Sequence, residues 1–77
     1  MASIRTQTDI EIYETPSVTD RRYEERDGTI RGHVVLDIQG VEILYRVTAI
    51  DLERAKQLQT SLGVVIALLE RGLRGEK

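Results

Sequence analysis

The sequence predicts an α+β domain: a four-stranded antiparallel β-meander followed by one long C-terminal helix, ββββα, with the helix packed on one face of the sheet. Three observations carry this prediction. Apolar and polar residues alternate through the first fifty positions. The alternation breaks at Thr15-Pro16-Ser17, Asp27-Gly28 and Gln39-Gly40. From Asp51 onward the apolar period becomes helical. A chain of 77 residues has room for a single domain, 1–77, with 1–7 and 73–77 expected to fray.

The first strand is expected around Ile10 and Ile12, ending in a loose turn at Pro16, and the second carries Tyr23. Asp27-Gly28 has the composition of a two-residue type I′ loop, whose central residues both need positive φ. That loop sets Arg26 opposite Thr29, Glu24 opposite Arg31 and Tyr23 opposite Gly32, where the ring would cover the glycine. Gln39-Gly40 supplies a second such loop, with Ile38 opposite Val41, Leu36 opposite Ile43 and Val34 opposite Tyr45. These registers gather Ile10, Ile12, Tyr23, Ile30, Val34, Leu36, Ile38, Val41, Ile43, Tyr45 and Val47 on one face, which only the helix can cover. They also place Asp37 opposite Glu42, an unfavourable pair unless solvent or a cation relieves it.

The helix is expected from Leu52 to Arg71, with Asp51 as N-cap, Glu53 complementing the dipole and Gly72 as the stop. Leu52, Ala55, Leu58, Leu62, Val65 and Leu69 recur at spacings of three and four, the stripe that lies on a sheet. Gly63 costs about 1 kcal/mol relative to alanine inside a helix, so either something approaches closely there or the helix breaks. Val64 to Leu69 is a run of apolar residues that points around the whole circumference. One sheet cannot cover all of it, and each large aliphatic left in water forgoes about 1.5–3 kcal/mol. A second copy packing around Gly63, Ile66, Ala67 and Leu68 is the simplest cover; a foreign protein, or the chain's own termini, are the alternatives.

Composition narrows the function. The chain is 40% hydrophobic and 31% charged, so it should fold, but its aromatics are three tyrosines alone and the core must be aliphatic. It has no cysteine, which excludes disulfides and thiolate chemistry, and one histidine, which excludes a histidine pair for metal within one chain. No cofactor is expected. Eleven basic against thirteen acidic residues give a net charge of −2, so no global field draws the chain to nucleic acid, and nucleic acid is not an expected partner. The first residues have no apolar signal core and no run is long enough for a membrane helix; the expected location is cytoplasmic.

The predicted register places Arg22, His33 and Arg46 side by side on the sheet face away from the helix. Three potential cations could bind phosphate, a nucleotide or an acidic protein surface. Asp9, Glu24 and Arg31 nearby also allow an ordinary mixed-charge face. Val35 and Leu44 form a small apolar patch on the same side. No nucleophile with a base, no carboxylate pair and no glycine-rich phosphate loop stands out, so catalysis is not expected. The reading is a homodimeric, non-catalytic interaction module: a regulator, inhibitor or accessory protein, of a kind that viruses encode. A binder of small anions, nucleotides or nucleic acid through the basic row is the alternative.

Overall fold

The computed structural model describes residues 9–77 and shows an α+β chain. A three-stranded antiparallel sheet, β1 (Ser17–Glu24), β2 (Ile30–Ile38) and β3 (Val41–Arg46), is followed by one helix, α1 (Ala49–Leu73), and the strand order is β1-β2-β3. The fourth strand expected around Ile10 and Ile12 does not form: residues 9–16 contain no strand. Pro16 lacks an N–H and disfavours a helical Thr15, so the segment cannot enter as a regular hairpin partner. A side chain takes the place of a strand. Gln39 accepts from the backbone N–H groups of Tyr13 and Glu14 and donates through Nε2 to the Glu11 carbonyl at 2.9 Å.

Gln39 and Gly40 have φ of 54° and 84°, the two positive values a type I′ loop needs, and β2 pairs with β3 in the expected register. Asp37 and Glu42 do oppose each other, and the conflict is relieved locally. An Asp37 oxygen accepts the Gly40 N–H at 2.9 Å, while Glu42 pairs with Arg21 from the far strand at 3.4 Å.

The first hairpin differs by one residue. Gly28 N–H donates to the Glu25 carbonyl at 2.9 Å and Glu25 N–H to the Thr29 carbonyl at 2.8 Å, with Gly28 at φ 85°. This is a three-residue loop, a type I turn closed by a left-handed glycine. Hydrogen bonding to the Thr29 side chain and backbone N–H holds the Asp27 carboxyl below its ordinary range. The extra loop residue shifts β1 by one position. Tyr23 lies opposite Arg31 rather than Gly32, Arg22 opposite Gly32, and Arg21 opposite His33. A shift of one turns every side chain to the other face. Tyr23 leaves the helix side, and Val18, Asp20 and Arg22 turn onto it.

The helix begins earlier and ends later than the sequence suggests. Thr48, not Asp51, is the N-cap: its side-chain oxygen accepts the Asp51 N–H at 3.1 Å. Asp51 reaches back to accept the Arg46 N–H at 2.7 Å, so one carboxylate ties the end of β3 to the first turn of α1. Gly72 lies within the helix. The stop is Gly75 at φ 79°, where Gly75 N–H donates to Gly72 O and Glu76 N–H to Arg71 O, a Schellman closure. Gly63 does not break α1.

The expected packing of helix on sheet is only partial. Of the three strands, α1 approaches β3 alone. The helix is about 37 Å long and β3 about 20 Å, so much of α1 runs past the strand it follows. The Cα radius of gyration is 17.4 Å, against about 11 Å for a compact domain of this length. Among the described residues the buried hydrophobic core is Val35 alone.

Candidate functional site

The two faces of the sheet have different characters. On the helix side, β2 and β3 present Val34, Leu36, Ile38, Val41, Ile43 and Tyr45, none of them buried. Between this face and α1 lies an open, mostly apolar cleft of about 560 Å3, walled by Val18, Val34, Leu36 and Tyr45 from the sheet and by Ala55, Leu58, Gln59, Leu62, Gly63 and Ile66 from the helix. A second hollow of about 380 Å3 continues toward Val47, Asp51 and Leu52. The helical wall follows spacings of three and four, as expected for one stripe. It differs from the expected stripe in including Gly63 and Ile66. A Cβ built on Gly63 would meet nothing within 4 Å, so the protomer itself gives no reason for glycine there.

Of the residues expected at a dimer contact, Gly63 and Ile66 thus line the cleft. Leu68, two residues on from Ile66, is about 200° around the helix and belongs to the opposite side. Both sides are uncovered, with Ile66 54% and Leu68 57% exposed. Ala67 is also exposed, between the two.

Toward β1 the cleft-side surface becomes polar. Arg22 holds Asp20 with two hydrogen bonds, Nε to Oδ1 at 2.8 Å and Nη2 to Oδ2 at 2.7 Å, while its own N–H donates to Oδ1 at 3.0 Å. Residues two apart on a strand share a face, so the fork fits without distortion. The Arg22 side chain, and then its backbone N–H, lower the Asp20 carboxyl from 3.8 to about 2. The folded value is the depressed one, so whatever this pair contributes is present above pH 3.8 and fades as pH falls toward 2. A carboxyl-detected NMR titration is expected to place the Asp20 midpoint near 2 in the wild type and to move it upward toward 3.8 in Arg22→Ala, which loses the guanidinium but keeps the backbone N–H. An unchanged midpoint in the variant would show that the fork does not form.

The register shift takes Arg22 out of the basic row and puts Arg21 in its place: Arg21, His33 and Arg46 now lie side by side across the three strands. Arg21 does not stand free. Its guanidinium reaches Glu42, which lies opposite Asp37; the rows of Arg21 and of Glu42 flank the row of Val35, so the bridge crosses β2 over Val35. Val35 is only 1% exposed and cannot itself touch a partner, whereas Leu44 beside it is 55% exposed. Arg31 pairs with Glu25 at 3.1 Å. Among the described residues His33 and Arg46 form no side-chain ion pair. The outer face therefore offers Leu44, His33 and Arg46 around a fixed Arg21–Glu42 bridge.

Among the described residues, no group of three or more His, Asp or Glu side chains is placed to hold a metal ion. No helix among them is long and apolar enough to cross a membrane. Comparison with protein-family models, with curated proteins and with solved structures finds no match to this chain.

Proposed function

We propose that this chain is a homodimeric, non-catalytic binding module that acts as a regulator, inhibitor or accessory protein by engaging another macromolecule through the outer face of its sheet. The observation that carries the dimer is surface area. One protomer exposes 7353 Å2, whereas a compact monomer of its mass exposes about 4,800 Å2. The excess of about 2,500 Å2 is of the size obligate dimers remove, about 1,000–2,500 Å2 per partner. With Val35 the one buried aliphatic side chain among the described residues, a solitary protomer has too little core there to offset its ordering entropy.

Binding is assigned to the outer face because the dimer would occupy the apolar one. Leu44 supplies an apolar anchor, and Arg46 and His33 add polar donors that favour an acidic protein surface. The non-catalytic reading rests on the composition, which has no cysteine and a single histidine. The anion-binding alternative has lost Arg22 to the other face and shares Arg21 with Glu42, which leaves Arg46 and His33 to carry it.

The test compares Arg46→Glu and Leu44→Glu with the wild type in affinity capture from the native source, after circular dichroism has confirmed unchanged helix content. Both variants are expected to lose a protein captured by the wild type. A wild-type partner retained at full strength by both would refute the outer-face assignment. Thermal stabilisation by inorganic phosphate or nucleotides that fades with salt, and that Arg46→Glu abolishes, would replace it with the anion-binding reading.

A further inference from the structure

The geometry points to the seat of the second copy: its α1 lies inside the cleft between the sheet and α1 of the first, giving an interlocked sandwich of sheet, helix, helix and sheet. This rests on the homodimer proposed above and adds how the two chains are joined. A dimer formed on the outside of α1 would bury Leu68 but leave the cleft open. Insertion fills the cleft and uses both sides of the helix.

Three observations converge on the second copy as occupant. Apart from Gln59 and the Tyr45 ring the cleft is walled by aliphatic side chains and Gly63, and its volume of about 560 Å3 compares with about 150 Å3 for the cavity left by one truncated leucine. It therefore has room for a stripe of roughly four side chains, the number that one helix offers over three or four turns. The excess surface of the protomer matches what a stable dimer buries. Over Val64 to Leu69 the helix is apolar on two opposite sides, which one sheet cannot use and an inner layer of helices can. In the interlocked arrangement Leu58, Leu62 and Ile66 of the two chains meet across the two-fold axis, with the bare backbone of Gly63 at the crossing. Val64 and Leu68 then rest on Val34, Leu36 and Tyr45 of the other sheet. Gly63 thereby gains the close approach that the protomer alone does not provide.

The natural chain has no cysteine, so single cysteines report contacts cleanly. Gln59→Cys places a thiol on the cleft side of α1, and Ser61→Cys, about 200° around, places one on the opposite side. Both replace exposed polar residues, so folding should be preserved. Each variant is treated with a short bis-maleimide and run on a denaturing gel, while light scattering gives the mass of the untreated wild type. The interlocked dimer predicts that most Gln59→Cys chains join in pairs and that Ser61→Cys chains stay single. A wild-type dimer in which Ser61→Cys joins and Gln59→Cys does not, or in which neither joins, or both join equally, overturns the interlocked seat and leaves the homodimer standing. A monomeric wild type overturns both.

Discussion

Replacing Ile66 by glutamate is expected to dissociate the dimer while doing little harm to an isolated protomer. In one chain Ile66 is 54% exposed, and glutamate is the better helix former, so a local defect is not predicted. In the interlocked dimer the same position lies in the layer between the helices. There the variant forgoes about 1.5–3 kcal/mol of aliphatic burial per copy and adds a carboxylate whose desolvation costs several kcal/mol. Symmetry applies the loss twice. A total of at least about 4 kcal/mol raises the dimer Kd at least about a thousandfold. Because the described residues of a separate chain bury Val35 alone, its helical dichroism should fall with dissociation and its melting point should depend on concentration. Ile66→Leu, with its volume conserved, is the control and should remain dimeric. A glutamate variant that sediments as the wild type does would show that Ile66 is outside the interface.

Gly32→Ala is expected to disrupt the pairing of β1 with β2. Gly32 has φ of 90° within a strand, and a Cβ built there would fall on the carbonyl oxygen of Arg21 and lie 3.1 Å from the Tyr23 ring. Backbone conformation alone costs about 1–3 kcal/mol, and the clash adds to it because the obstructing atom belongs to the neighbouring strand's main chain and cannot rotate away. The expected loss is about 3 kcal/mol or more, comparable with the whole stability that a domain of this size draws from its own core. Gly40→Ala separates the two causes. Its φ is 84°, but nothing lies within 4 Å of the added Cβ, so it should lose only the conformational part, nearer about 1 kcal/mol. Denaturant unfolding of both variants checks this. Equal losses would mean that Gly32 is not pressed against β1.

The parts of the fold legible in the sequence are those in which turn chemistry and alternation agree. Gln39-Gly40 stands between two strands whose apolar residues fall on one face in only one register, and that register forms. In β1 the alternation gives no such control. Its only large apolar residues are Val18 and Tyr23, five apart and hence on opposite faces, so either register turns one toward the helix side and the other away from it. The choice falls to the loop, and Asp27-Gly28 suits both a two-residue type I′ loop and a type I turn with a left-handed glycine. That ambiguity exchanged Arg22 for Arg21 in the basic row. The helix start differs from the expected one for a related reason. Thr48 and Asp51 are both capping residues three apart, and a Thr-x-x-acid pairing assigns the cap to Thr48, although Asp51 turns back on the Arg46 N–H rather than on that of Thr48. The apolar circumference of Val64 to Leu69 was legible from the sequence, and the exposed residues on both sides of α1 agree with it. What sequence alone did not provide was the cleft, because an amphipathic stripe shows which side of a helix is apolar but not how far from its own sheet the helix stands.

The mass of the untreated protein in solution decides most. Multi-angle light scattering across a dilution series should return twice the 8.8 kDa of one chain down to the lowest concentration at which helical dichroism persists, with mass and helix content falling together. A species of single-chain mass that keeps its full helix content and a melting point independent of concentration would contradict the paired architecture, and with it the assignment of the apolar cleft to a second copy.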